Sequence, residues 1–130
     1  MPRTFHVHVP PDAMPDLHGL QAAIKQLKFK LTLDEAYAPF ETQGYLPCTL
    51  EGEDAGVDMR FARDVPGQGE RTSVMTLKWG GDPREHLSAL VIAAAMASSF
   101  GAEVVDPDAA TVVPSTALIK QAKALLEDHF

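Results

Sequence analysis

Hydrophobic and polar residues alternate in four stretches of the chain, and this period of two is typical of half-buried β-strands. The stretches are residues 4–9, 28–33, 57–62 and 74–79. Pro66, Gly67 and Gly69 lie between the third and the fourth stretch. Because these residues supply the backbone angles of a turn, the last two stretches are predicted to form an antiparallel hairpin with a longer tip.

Apolar residues recur at helical spacing in three other segments. They predict helices over Asp12–Lys28, from Pro83 to about Ser99, and from Ser115, which would cap the last helix. Asp82 before Pro83, with Glu85 three positions further on, predicts a capping box. The second helix is apolar nearly all round and ends before Gly101, so it is expected to be the most buried element.

Shorter apolar pairs predict further strands around Cys48 and Leu50, at Val104–Val105 and over residues 111–113. The order is then roughly β-α-β-β-β-β-α-β-α. A run of strands between helices favours an α+β fold, with a central mostly antiparallel or mixed sheet and about three helices. The length of 130 residues is usual for one domain, so we expect a single domain over residues 1–130.

The composition indicates in which cellular compartment the protein is expected. Cys48 is the one cysteine, so neither an intramolecular disulfide nor a paired-cysteine zinc or redox site is expected. The chain opens without a signal-peptide pattern, and its longest apolar run, Ala89–Ala97, is about half of the ~20 residues that a membrane span needs. We therefore expect a cytoplasmic protein that does not enter a membrane.

The formal net charge of −7 is concentrated in one part of the chain. Residues 1–30 carry a formal charge of +2 and residues 60–130 carry −2, so residues 31–59, here called the acidic segment, carry −7. This segment has no Lys or Arg; its seven acids are Asp34, Glu35, Glu41, Glu51, Glu53, Asp54 and Asp58. Direct binding of nucleic acid is not expected, because phosphate contacts need clustered Lys and Arg.

Two interpretations of the acidic segment are open. A patch of one sign steers a basic protein partner and speeds its association, which makes the seven acids the candidate binding residues. Alternatively, the segment is a solvated loop that keeps the protein soluble.

Candidate catalytic and metal-binding residues are few. His6 and His8 would project from one face of a strand, but two ligands do not complete a zinc site, and ordinary histidines on a polar face are favoured. Cys48 has no local nucleophile signature and is expected to be a small buried residue. Gly80 and Gly81 precede a helix start that Asp82 already caps, which argues against a phosphate site. We predict no catalytic residues, no metal and no cofactor.

Four segments resemble a known family: Gly44–Cys48, Glu51–Val57, Trp79–Asp82 with the alanine-rich helix after it, and Val104–Pro107. Together, over roughly residues 44–108, they resemble small cytoplasmic immunity proteins of bacterial contact-dependent and polymorphic toxin systems. The resemblance implies a non-enzymatic protein that binds a cognate toxin domain, usually a nuclease, and blocks its active site or its access to substrate. An acidic surface matches what a basic nuclease would require.

The functional prediction is therefore an immunity protein that neutralises a toxin domain through its acidic surface. The runner-up is a small enzyme or small-molecule binder, with His6, His8 and the acids between Glu51 and Asp58 as its site. A third class is a structural or adaptor subunit of a larger bacterial assembly. A pocket with convergent His and acid side chains would favour the enzyme, and a convex acidic face would favour the binder.

Overall fold

The structure is a computed structural model that describes residues 3–66 and 69–129. Its strands are β1 (Arg3–Val9), β2 (Leu31–Leu33), β3 (Gly44–Leu46), β4 (Cys48–Leu50), β5 (Glu53–Asp54), β6 (Val57–Ala62), β7 (Ser73–Trp79), β8 (Glu103–Asp106) and β9 (Thr111–Val113). Its helices are α1 (Leu17–Gln26), α2 (Pro83–Ser99) and α3 (Ser115–His129). A short 3-10 helix at Pro11–Ala13 precedes α1. The predicted α+β class is confirmed.

A six-stranded sheet in the order β3-β6-β7-β1-β8-β9 forms the larger layer, and all of its pairs are antiparallel. The predicted hairpin is present as β6 and β7, although Gly67 of its predicted turn lies outside the described residues. On β1, Phe5, Val7 and Val9 are buried toward the core, as their alternation predicts. The intervening side chains, with their cross-strand neighbours, form what is here called the outer face.

A second sheet has three short antiparallel strands in the order β2-β4-β5. The sequence predicted one short strand around Cys48 and Leu50, whereas the structure forms β3, β4 and β5 within the acidic segment. The predicted strand over residues 28–33 begins only at Leu31, because Lys28 has a left-handed φ of 68°. Alternation alone therefore placed β2 too early.

Helix α2 lies at the centre of the molecule, packed against the six-stranded sheet and against α1 and α3. Every residue from Leu87 to Met96 is buried, which confirms the predicted burial of this helix. The Asp82 carboxylate accepts a hydrogen bond of 2.9 Å from the Arg84 backbone N–H, so Asp82 caps α2 as predicted. The predicted reciprocal bond of the capping box is not formed, since Glu85 instead accepts from the Gly80 N–H at 3.5 Å.

Helix α1 begins at Leu17, five residues after the predicted start. Asp16 is the cap, because its carboxylate accepts a 2.8 Å hydrogen bond from the Gly19 N–H. Pro15 restricts the residue before it to extended backbone, and Met14 accordingly has φ −62° and ψ 118°. Proline thus separates the 3-10 helix from α1.

The last helix also starts differently from the prediction. Ser115 is the first residue of α3, and the carbonyl of Pro114 accepts from the Leu118 N–H at 3.1 Å. Pro114 therefore occupies the position that the sequence assigned to Ser115. Leu118 and Ala122 are buried against α2.

Within residues 3–66 and 69–129, no helix has both the length and the apolar character needed to cross a membrane.

Candidate functional site

The acidic segment lies at the surface and spans both sheets. Six of its seven acids are exposed, and Asp58 is half-buried on the outer face. Asp34, Glu35 and Glu41 belong to the connection between β2 and β3, Glu51 to the turn after β4, and Glu53 and Asp54 to β5. The seven residues are therefore spread over a loop, a turn and two strands, which the linear pattern could not show.

Three of the seven acids are paired with basic residues from outside the segment. Carboxylate oxygens of Glu51, Glu53 and Asp58 lie 3.3 Å from Lys30 Nζ, 2.7 Å from a terminal guanidinium nitrogen of Arg84 and 3.2 Å from Arg60 Nε. These pairs are largely exposed to solvent and each stabilises the fold only slightly. They matter more for the surface charge than for stability, because they partly neutralise the acidic segment.

The other four acids, Asp34, Glu35, Glu41 and Asp54, form no ion pair with the residues that the structure describes. Asp34 has a local role, since its carboxylate accepts a 2.9 Å hydrogen bond from the Ala36 N–H and closes a turn. Glu35, Glu41 and Asp54 are exposed and make no side-chain hydrogen bond within the described ranges. These three carboxylates are the most accessible charges of the segment.

The structure brings some of the predicted binding residues together in shallow surface cavities. Asp34 and Asp54 line a cavity of about 150 Å³ beside Cys48 and Thr49. Glu51 and Glu53 line another of about 330 Å³, together with Leu50, Arg84 and His129, so one histidine, at the end of α3, does meet two of the acids. Glu35, Glu41 and Asp58 line neither of these two cavities.

Cys48 is a free and buried cysteine, as predicted. Burial raises the pKa of its thiol to about 12, and the nearby negative charge of Asp34 adds to the increase. Since the thiolate is the reactive form, Cys48 is poorly suited to nucleophilic chemistry at neutral pH.

His6 and His8 project from the outer face, with ring centroids 6.4 Å apart. His6 Nδ1 lies 3.3 Å from the Thr76 hydroxyl, whereas His8 Nδ1 has no hydrogen-bond partner among the described residues. Among those residues, no group of three or more His, Cys, Asp or Glu side chains is arranged to hold a metal ion. Neither His6 nor His8 lines the cavity at Asp34 and Asp54 or the cavity at Glu51 and Glu53, whose histidine is His129.

Two histidines have lowered pKa values. Burial lowers the pKa of His8, with a further decrease from neighbouring His6 that Glu103 partly opposes. Burial also lowers the pKa of His86, and the positive charge of Arg3 adds to this effect. The folded protein therefore binds protons at these two sites less readily than the unfolded chain does.

We expect the free energy of unfolding to decrease as the pH falls below the ordinary histidine pKa of about 6.5. In that range the unfolded chain gains protons at His8 and His86 that the folded chain takes up only at lower pH. Urea unfolding at neutral and mildly acidic pH measures the decrease. The double variant His8→Gln, His86→Gln should flatten it. An unchanged slope in the double variant would contradict the assignment.

Sequence reasoning missed one exposed aromatic residue beside the acids. Tyr45 on β3 is 61% exposed, although the surface of the protein contains few large hydrophobic side chains in its described part. It lies directly opposite Asp58 in the antiparallel pair of β3 and β6. Its position in a three-residue edge strand follows from tertiary pairing, so local alternation gave no signal for it.

The comparisons with known proteins identify no relative: no family model matches the chain, and neither the curated proteins nor the solved structures contain a match.

Proposed function

We propose that this chain is a cytoplasmic immunity protein that binds and neutralises a basic bacterial toxin domain through its acidic segment. The observation that carries the proposal is the accessibility of the charge: Glu35, Glu41 and Asp54 are exposed and unpaired among the described residues. Carboxylates in this state are free to interact with a partner's Lys and Arg side chains.

The charge of the whole molecule supports the same partner. With a net charge of −7, the protein attracts a basic protein over distances of about a Debye length, which is ~8 Å at physiological ionic strength. A nuclease domain has a basic surface because it binds phosphates. An acidic protein that covers this surface competes with the nucleic acid and needs no catalytic group of its own.

The arrangement gives less support to the runner-up enzyme. That hypothesis needs His6 and His8 to converge with acids between Glu51 and Asp58. Strand β7 separates β1 from β6 by about 10 Å across the sheet, and Asp58, the nearest of these acids, is in register with Thr4 and not with His6 or His8. In addition, Cys48 is held in its protonated form by burial. The proposal therefore assigns no catalytic residue.

The decisive experiment reverses the three unpaired acids. The variant Glu35→Lys, Glu41→Lys, Asp54→Lys is preferable to reversal of Glu51 or Glu53, because reversal there would also break an ion pair. Each change adds two charges, so the net charge rises from −7 to −1. With the toxin domain that the protein is proposed to neutralise as partner, the association rate at low salt should fall about tenfold or more.

The matched control changes the same amount of charge elsewhere. Asp12→Lys, Glu70→Lys, Asp108→Lys alters three exposed acids outside the acidic segment and also gives a net charge of −1. It should slow association much less than the first triple variant, and the parent complex should lose rate as salt rises. Equal rates for parent and first variant, with equal salt dependence, would reduce the segment to a solubility device.

A further inference from the structure

Tyr45 is an exposed aromatic side chain whose ring is held in position by packing against the backbone. A Cβ atom added to Gly56 would overlap with the ring carbon Cζ and the hydroxyl oxygen of Tyr45, so the ring rests directly on the backbone of Gly56. The missing side chain of Gly56 makes this close approach possible. The hydroxyl end of the ring is thus in contact with protein, while the residue remains 61% exposed.

A supported aromatic ring is well suited to binding. Binding of a partner costs little side-chain entropy at Tyr45, because the packing on Gly56 already restricts the ring. Tyrosine is also among the residues that most often dominate the binding energy of protein interfaces. The nearby charges determine what kind of partner group the ring can accept.

Asp58 supplies a hydrogen-bond acceptor beside the ring. It lies directly across from Tyr45, and Cβ atoms of such cross-strand pairs are about 5 Å apart. Its oxygen Oδ2 accepts from Arg60 Nε at 3.2 Å, whereas Oδ1 has no hydrogen-bond partner within residues 3–66 and 69–129. Lys78 on β7 is the cross-strand neighbour of Asp58 on the side away from β3, and it forms no ion pair with Asp58.

We propose that Tyr45 and Asp58 form a recognition site for an arginine side chain of the basic partner. The planar guanidinium stacks on the open side of the Tyr45 ring and donates an N–H hydrogen bond to Asp58 Oδ1. Arginine fits better than lysine, because a planar, forked cation can stack and donate at the same time. This inference rests on the proposed function, since it names the chemical group that the toxin-binding surface accepts.

The test uses an oligoarginine peptide as probe, with an oligolysine peptide of equal length for comparison. Binding to the full chain is followed by NMR of the Tyr45 ring and by calorimetry. Oligoarginine should shift the ring resonances and bind more tightly than oligolysine. Tyr45→Ala should weaken oligoarginine binding about fivefold, the equivalent of the roughly 1 kcal/mol of an exposed cation–π contact. Tyr45→Phe keeps the ring and should bind like the parent.

Gly56→Ala tests the packing of the Tyr45 ring on residue 56 without removing Tyr45. The new methyl group displaces only the outer end of the exposed Tyr45 side chain, so the fold should survive, as urea unfolding can verify. Binding of oligoarginine should nevertheless weaken by about as much as in Tyr45→Ala. If Gly56→Ala binds like the parent, the fixed position of the ring is irrelevant and the site as proposed is wrong.

The outcomes separate this inference from the proposed function. If the triple variant Glu35→Lys, Glu41→Lys, Asp54→Lys loses oligoarginine binding but Tyr45→Ala does not, the arginine site is overturned and the acidic surface stands. If Tyr45→Ala weakens binding and the triple variant does not, the arginine site is supported and the wider acidic surface is not. Equal oligoarginine binding by both variants and the parent overturns the arginine site, whereas the association rates with the toxin domain decide the proposed function separately.

Discussion

Ala94→Asp is expected to lower the free energy of unfolding by roughly 3–5 kcal/mol, a large fraction of the roughly 5–15 kcal/mol that stabilises a typical domain. Ala94 has no exposed surface and lies in the continuous buried stretch of α2. A carboxylate there would lose its hydration, and no basic residue lies in that stretch to compensate for its charge. Urea unfolding followed by circular dichroism measures the change.

Ser98→Asp is the matched control for this substitution. Ser98 is exposed in the last turn of the same helix, so the same new charge stays in water. It should cost less than about 1 kcal/mol, mainly through the unfavourable position of a negative charge near a helix C-terminus. If Ala94→Asp unfolds at the same urea concentration as Ser98→Asp, α2 is not enclosed as the structure has it.

Helix α2 could be predicted well because one signal determined it. A sequence that is apolar on all sides of a helix can be stable only when other elements cover every side. The Asp82 cap and Gly101, which has a left-handed φ of 67°, defined its two ends locally. Strands β1 and β6 were predictable for a similar reason, since each has one buried face and a clear period of two, and β7 follows the same pattern from Met75 onward.

The predicted start of α1 was wrong because two local rules competed. Apolar spacing extended the helix back to Asp12, and a proline is tolerated in a first turn. However, Pro15 also constrained Met14 to extended backbone, and Asp16 offered a better cap next to the buried part of the helix. The restriction on the residue before proline therefore decided the boundary.

The acidic segment could be predicted as charge but not as structure. Strands β3, β4 and β5 within it have two or three residues each, too few for a periodic pattern to be distinguished from a loop. Its ion pairs join distant parts of the chain, as in the contact between Glu53 and Arg84. Such pairs depend on tertiary packing, so counting charges along the sequence could not show that three of the seven acids are ion-paired. It also gave no indication that Tyr45 is exposed.

Trp79→Ala is expected to destabilise the protein by about 3–5 kcal/mol, because it removes a large buried side chain and leaves a cavity. Trp79 is 4% exposed and packs between two rings: Phe5, with a centroid distance of 4.8 Å, and His86, stacked at 5.1 Å with an interplanar angle of 7°. Trp79→Phe keeps an aromatic ring and should cost clearly less. Circular dichroism is the appropriate probe, because the chain contains a single Trp.

The same substitution should also change the titration of His86. Its pKa is lowered first by burial and then by the charge of Arg3, and the stacked indole of Trp79 supplies part of that burial. Removal of the indole admits water to the imidazole, so its pKa should rise toward the ordinary value near 6.5. NMR titration of the His86 ring in the folded variant measures this. If the pKa of His86 in Trp79→Ala equals that of the parent, the stacking on Trp79 does not protect the imidazole from water. The lowered pKa would then have to come from other neighbours of His86, with the charge of Arg3 as the first to examine by Arg3→Gln.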